Sequence, residues 1–110
     1  MVDITTFRHL AIELPGVTEK PHFEKRSFWV NKKIFATLDE ANKRAIFKLS
    51  EMDQSVFCAF DKSVIYPVPG KWGIHGWTMV ELSKVRKAML KDVINVAYQT
   101  VAAKKLSGKN

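Results

Sequence analysis

Three consecutive segments of the chain alternate apolar and polar side chains with a period of two. They cover residues 27–31, 33–38 and 44–49, and short polar connections join them. Successive side chains of a β-strand point to opposite faces, so each segment has the pattern of a strand with one buried face. Because connections this short join antiparallel neighbours, the pattern predicts a three-stranded antiparallel meander with a tight turn at Asn31 and Lys32.

Helical patterns occur before, between and after these strands. A first helix is predicted at about residues 4–13, with Asp3 as its N-cap. A second begins after Ser50, and its apolar stripe consists of Met52, Val56, Ala59 and Phe60. A long third helix begins at 84–88, after Ser83, and ends near 104. Its predicted stripe consists of Val85, Met89, Val93, Val96, Ala97 and Val101.

Two further strands are predicted at 63–68 and 77–82, and residues 18–26 are interpreted as a polar connector. The element order is then α-β-β-β-α-β-β-α. The simplest arrangement is a two-layer α+β domain, with a five-stranded antiparallel sheet and its helices on one face. Residues 1–110 are expected to form a single domain, with a frayed tail at 106–110.

Residues 66–77 are the most unusual stretch of the chain. They contain two of its four prolines, three of its five glycines and two of its three tryptophans. Proline fixes φ and glycine permits positive φ, so a rigid loop with aromatic surface is expected between the last two strands. Trp72 either closes one end of the core, which we favour, or projects with Lys71 as a wing that contacts a nucleic-acid backbone.

The chain is basic: eighteen Lys and Arg residues against eleven Asp and Glu give a net charge of +7. Such a charge favours anionic partners, although a basic protein without such a partner fits equally. Cys58 is the only cysteine, so no internal disulfide can form, which agrees with a reducing cytoplasm. No signal peptide pattern and no membrane-spanning apolar run are present, so we expect a cytoplasmic protein without a membrane partner.

Several short motifs together resemble the YjbR/MmcQ family of small bacterial proteins. They occur at residues 14–19, 33–36, 66–67, 72–73, 76–78, 97–98 and 104–106. The resemblance implies an α+β fold like that of the frataxin homologue CyaY and of secretion chaperones. It also implies a DNA-binding role, which for the family rests mainly on comparison of folds, and it supplies no catalytic residues.

The candidate binding residues follow from strand parity. If the alternate apolar residues face the helices, the other sheet face exposes aromatic side chains interleaved with cations, and Trp77 on the last strand can join them. Bases stack on such rings while phosphates pair with the cations, as in single-strand binding proteins. The same face could instead be buried by a second copy or a loop. The predicted nucleic-acid-binding residues are Trp29, Lys33, Phe35, Arg44, Lys48, Lys71, Trp72 and Trp77.

No residue pattern predicts catalysis, a cofactor or a metal. His9, His22 and His75 are scattered, and Cys58 has no second cysteine nearby to share a metal. We therefore expect a non-enzymatic binding module without bound metal or cofactor, whose partner is DNA or single-stranded nucleic acid. The alternative is a protein-interaction or small-ligand module, in which the aromatic sheet face is an oligomer or partner interface.

Overall fold

The computed structural model describes residues 2–22 and 25–107, and they form ten helices and strands. In chain order these are α1 Ile4–Ile12, β1 Thr18–His22, β2 Lys25–Val30, β3 Lys33–Asp39, β4 Arg44–Lys48, α2 Glu51–Cys58, β5 Ile65–Pro67, α3 Lys71–Ile74, β6 Trp77–Glu81 and α4 Lys87–Ser107. The predicted α+β class is confirmed. The predicted element order is wrong, because β1 and α3 lie in segments interpreted as connector and loop.

The described strands form one antiparallel sheet in the order β1-β2-β3-β4-β6-β5. It has six strands rather than the predicted five, because β1 pairs with β2 from Thr18 opposite Trp29 to His22 opposite Lys25. The polar sequence of β1, which includes Pro21, lacks the alternation that identified the other strands. Glu19 of β1 forms ion pairs with Arg8 of α1 and Arg26 of β2, both at 3.0 Å, and these pairs hold β1 against the two elements.

The structure confirms the N-caps predicted at Asp3 and Ser50. The Asp3 carboxylate accepts a hydrogen bond from the Thr6 N–H at 2.7 Å, and the Ser50 hydroxyl accepts one from the Asp53 N–H at 3.1 Å. The long C-terminal helix starts at Lys87, within the predicted range of 84–88, and Ser83 lies too far before it to be its N-cap. It continues through Ser107 into the predicted frayed tail, of which residues 108–110 lie outside the described part. No helix of the described part combines the length and hydropathy that crossing a bilayer requires.

The core lies between one sheet face and helices α1 and α4. Phe7 of α1 packs on Phe28 of β2 and Phe47 of β4, with ring centroids 5.4 and 5.8 Å apart. The residues predicted to face the helices are buried, except Ile34: they are Phe28, Val30, Ala36, Leu38, Ala45, Phe47 and Leu49. On α4, Val93, Ala97 and Val101 are buried as predicted, and Leu90 and Ile94 join them.

A β-bulge in β3 changes the predicted parity. Phe28 of β2 pairs with Ala36, but Trp29 pairs with Ile34, so Phe35 is an extra residue with no partner opposite it. Phe35 is fully buried and packs edge-on against Tyr98 of α4, with centroids 5.8 Å apart. The prediction that Phe35 lies on the outer face is therefore wrong. Ile34, opposite Trp29, takes the outer position that parity had assigned to Phe35.

Gly76 joins the loop before β6 to the end of β4 through a main-chain hydrogen bond. Its carbonyl accepts a hydrogen bond from the Leu49 N–H at 3.0 Å, and its φ is +96°. A Cβ atom at this position would lie 1.9 Å from the Leu49 carbonyl oxygen. Only glycine permits both this conformation and this approach of two main chains. The loop therefore has a fixed position beside the end of β4.

Candidate nucleic-acid interface

A surface cavity of about 340 Å³ brings together half of the predicted binding residues. Two tryptophans and two lysines come from four different strands: Trp29 from β2, Lys33 from β3, Lys48 from β4 and Trp77 from β6. These strands all begin or end at the same end of the sheet. The remaining lining residues are Ile34, Thr100 and Val101. We call this site the aromatic cavity.

The bulge explains why a cavity opens at this end of the sheet. Strands β3 and β4 pair from Asp39 opposite Arg44 to Ala36 opposite Phe47, and the pairing stops at the bulge. Beyond it, Ile34 pairs with Trp29 on one side, while Lys48 pairs with Trp77 on the other. Thr100 and Val101 of α4, which packs on the other sheet face, also line the cavity. The cavity therefore lies where β3 and β4 separate.

The Trp29 indole is held in one orientation by its neighbours. Its Nε1–H donates to the Ser27 hydroxyl at 2.8 Å, and that hydroxyl donates to the Lys20 carbonyl at 2.9 Å. The Lys20 ammonium lies 4.8 Å from the centroid of the Trp29 ring, which is a cation–π distance. Ser27 is almost fully buried, so this anchor is shielded from solvent. The ring is therefore a preorganised flat surface with a positive charge over one of its faces.

Trp77 and Lys48 form a second aromatic–cation pair on the far side of the cavity. They are directly opposite each other on β6 and β4, and the Lys48 ammonium lies 5.6 Å from the Trp77 ring centroid. The same ammonium donates a hydrogen bond to the His75 carbonyl, which orients the lysine against the loop before β6. Both indoles of the cavity thus have a cation beside them. This combination can stack a flat ring and neutralise a nearby anion.

Arg44 lies away from the cavity, at the opposite end of β4 from Lys48. Its Nε–H donates to Glu81 at 3.0 Å, and the same carboxylate oxygen accepts a hydrogen bond from the Tyr66 hydroxyl. Burial, and then the hydrogen bond to Glu81, raise the pKa of Tyr66, so this hydroxyl keeps its proton at neutral pH. Arg44 therefore has an ion-pair partner and contributes to a network across three strands.

Lys71 and Trp72 lie on the short helix α3, and both are exposed. Trp72 has 65% of its surface exposed, so the favoured prediction that it closes the core is wrong. Gly73 is the α3 residue that is buried, and a Cβ there would lie 2.1 Å from the Val68 carbonyl oxygen. Gly73 thus takes the inward position of α3 and leaves the indole outside. Neither Lys71 nor Trp72 is among the residues that line the aromatic cavity.

We expect Trp72→Ala to change the free energy of unfolding by well under about 1 kcal/mol, because a mostly exposed ring makes few core contacts. Urea denaturation of the variant beside the wild-type protein measures the change. A loss of about 3 kcal/mol, typical of a buried aromatic residue, would contradict the exposed position.

The described residues contain no group of three or more His, Cys, Asp or Glu side chains placed to hold a metal ion. Burial raises the pKa of the Cys58 thiol, which lowers its thiolate fraction and its reactivity. The pKa of Asp61 is lowered by hydrogen bonds from Ser63, and that of Asp39 mainly by the Asn42 side chain. Asp61 follows α2 and Asp39 is the last residue of β3; both have local hydrogen-bond partners, and neither lines the aromatic cavity.

Sequence reasoning missed three residues of the aromatic cavity. Ile34 was assigned to the core because nothing in the sequence marks the bulge. Thr100 and Val101 are 52 or more residues away from the other lining residues except Trp77, and helical periodicity does not show which strand end they approach. The signal for the other four was strand parity combined with residue type.

The fold and the cavity define a class of protein. It is a small α+β domain with an open antiparallel sheet, α1 and α4 on one face, and an aromatic and cationic cavity at one end. The YjbR family model matches residues 12–100, and the chain belongs to this family. The recognition from the sequence motifs is thereby confirmed.

A solved structure shares this fold. The crystal structure of Deinococcus radiodurans protein DR2400, whose family-model domain is DUF419, aligns with a TM-score of 0.83 and 22% sequence identity. The alignment covers 96% of this chain and 82% of that one. No curated protein matches the chain. At this identity the likeness establishes the fold, and function has to be argued from the site.

Proposed function

We propose that this YjbR domain is a non-enzymatic module that binds single-stranded nucleic acid with little sequence preference. The observation that carries the proposal is the aromatic cavity, whose two indoles, Trp29 and Trp77, each have a lysine ammonium over one face of the ring. Bases of any sequence can stack on an indole, and stacking contributes about 1–3 kcal/mol per base. Weak sequence preference follows from this mode of binding.

The charge of the chain supports the same partner. The net charge of +7 attracts a polyanion at long range, and Lys33 and Lys48 at the cavity place positive charge where a backbone phosphate would lie next to a stacked base. A base can enter a cavity between strand ends only if it is unpaired. The geometry therefore favours single strands over duplex DNA, and a DNA strand and an RNA strand fit it equally.

A small planar anion is the second candidate ligand, because the cavity volume and the apolar lining residues Ile34 and Val101 suit one aromatic ring as well as one base of a strand. Chain-length dependence distinguishes the two. A module for single strands binds a ten-nucleotide oligomer much more tightly than a mononucleotide, whereas a small-ligand site binds both equally.

Binding of a labelled oligonucleotide should weaken as salt is raised. If about four phosphates are neutralised, the slope of log K against log salt should be near −3 for single strands. Lys33→Glu combined with Lys48→Glu should weaken binding and flatten the slope, because two cations at the cavity are lost. Fluorescence anisotropy at several salt concentrations measures both quantities. The matched control is Lys87→Glu with Lys91→Glu, which changes the net charge equally on the exposed face of α4.

Trp29→Ala tests stacking separately from charge. It should raise the dissociation constant roughly 5- to 150-fold, the equivalent of 1–3 kcal/mol, at an unchanged salt slope, because stacking releases no counterions. Trp72→Ala is the control, since its indole lies outside the cavity. If no oligonucleotide binds below about 100 µM at low salt, weaker than typical non-specific binding, the proposal is wrong.

A further inference from the structure

Five of the six large hydrophobic side chains that are exposed in the described part of the chain belong to α2, its C-terminal turn and α3. They are Met52, Val56, Phe60, Trp72 and Ile74, each more than half exposed. The Gln54 side chain of α2 donates to the Gly73 carbonyl of α3 at 2.9 Å, so the two elements are adjacent. We call these five residues the apolar patch. Concentration of exposed apolar surface in one region indicates an interaction site.

The α2 stripe predicted to face the core points to solvent instead. Gln54, Phe57 and Cys58 turn toward the protein, yet α2 has no fully buried residue. Met52, Val56 and Phe60 follow one another at intervals of four residues, so they form one row along the outer face. Ser55 and Ala59 are exposed beside this row, and their small side chains allow another helix to approach closely. The row has the pattern of a helix that packs against a partner helix.

The two ends of this row carry opposite charge. Glu51 and Asp53 lie beside Met52 at the N-terminal end. At the other end, Lys84 and Arg86 line a cavity of about 170 Å³ together with Phe60 and Asp61, and Lys62 follows in sequence. Three cations therefore outnumber the single carboxylate there. A partner that matches this surface must be apolar at its centre, basic at one end and acidic at the other.

We propose that this partner is a second copy of the same chain, with the two α2 helices antiparallel about a two-fold axis near Val56. A two-fold interface requires one surface to be complementary to itself. The antiparallel arrangement satisfies this requirement, since Met52 then contacts Phe60 of the other copy and Glu51 approaches its Lys62. A parallel arrangement would bring like charges together. None of the five patch residues lines the aromatic cavity.

The oligomeric state is the first test. Multi-angle light scattering over a concentration series should approach twice the chain mass of 12.6 kDa. Val56→Asp should raise the dimer dissociation constant at least about 30-fold, the size expected for a central apolar contact. Ile12→Asp, an exposed isoleucine on α1, should leave it unchanged. A monomer at millimolar concentration, or a dimer indifferent to Val56→Asp, would overturn the proposal.

Charge reversal tests the antiparallel pairing without touching the apolar row. Glu51→Lys alone and Lys62→Glu alone should each weaken the dimer, because each places two like charges across the axis. The double variant should restore the dimer, because residues 51 and 62 of the two copies then carry opposite charges again. Additive weakening in the double variant would contradict the pairing. Circular dichroism of each variant confirms that the fold is intact.

Cysteine cross-linking tests the position of the axis in a Cys58→Ser background. Val56→Cys should form an intermolecular disulfide readily, because the two copies of residue 56 meet at the axis. Met52→Cys should not, because its two copies are separated by about 12 Å along the helices, beyond the ~7 Å Cα separation of a disulfide. A mixture of the Met52→Cys and Phe60→Cys variants should form a disulfide again, between residue 52 of one copy and residue 60 of the other. The proposed geometry would be overturned if the Val56→Cys variant, the Met52→Cys variant and the mixture all cross-linked to the same extent.

Discussion

Replacing Gly76 with alanine should destabilise the domain by roughly 2–5 kcal/mol, the sum of about 1–2 kcal/mol from the left-handed backbone and about 1–3 kcal/mol from overpacking. The positive φ of +96° disfavours any L side chain, and the new Cβ would collide with the Leu49 carbonyl oxygen. Relief of the collision must separate the loop from the end of β4 and break the Leu49 N–H to Gly76 hydrogen bond. A loss of this size is a large fraction of the roughly 5–15 kcal/mol that stabilises a typical domain. Urea denaturation followed by circular dichroism measures it.

Gly16→Ala is the matched control for Gly76→Ala. Gly16 also has a positive φ, of +77°, but a Cβ there would meet no atom within 4 Å. Its substitution should therefore lose only about 1–2 kcal/mol, from the left-handed backbone alone. Equal effects at the two glycines would contradict the close approach of the loop to Leu49.

Phe35→Ala should destabilise the protein by roughly 3–5 kcal/mol, as expected for removal of a fully buried aromatic ring. The ring fills the space between the bulge of β3 and Tyr98, and its loss leaves a cavity at the junction of the sheet and α4. Thermal or urea denaturation measures the change. The variant also tests the bulge itself, since an unbulged β3 would place residue 35 on the outer face, where truncation has little effect.

Phe60→Ala removes the same side chain from a position that is 67% exposed, so it is the chemical control for Phe35→Ala. Measured at dilution, where dimers do not contribute, it should change stability by about 0.5 kcal/mol or less. If Phe35→Ala were equally mild, the buried bulge would be excluded.

The sequence predicts the interior of the sheet well, because alternation reports directly which side chains avoid water. Phe28, Ala45 and Phe47 were assigned correctly on this basis. Alternation fails at Phe35, because a bulge inserts one residue and moves it to the other face without any glycine to mark it. The position of Phe35 depends on its packing against Tyr98, which lies 63 residues later in the chain. A pattern of neighbouring residues carries no information about a contact at that distance.

Two further misses have separate physical causes. Strand β1 has few apolar residues, and it is held by pairing to β2 and by the ion pairs of Glu19 rather than by a buried face of its own. Helix α2 has the correct periodicity, but periodicity shows only that one face is apolar. It does not show whether that face meets the protein's own core or solvent.

The candidate site was predictable only in part. Trp29, Lys33, Lys48 and Trp77 were found because strand parity and residue type together placed them on one sheet face, but nothing in the sequence showed that they share one end of the sheet. Thr100 and Val101 were not found, because their place in the cavity depends on where α4 crosses the separated strands. Arg44 was included among the predicted binding residues because strand parity identifies the sheet face of a residue but not its position along the strand.

The two outermost strands of the sheet each contain a proline, Pro21 in β1 and Pro67 in β5. Proline has no main-chain N–H, so neither strand offers an uninterrupted row of donors to a strand from another molecule. β5 is also only three residues long, and β1 carries both acidic and basic side chains. These features oppose fibrillar aggregation through strand addition. They also disfavour any partner that would extend the sheet by adding a strand at either edge.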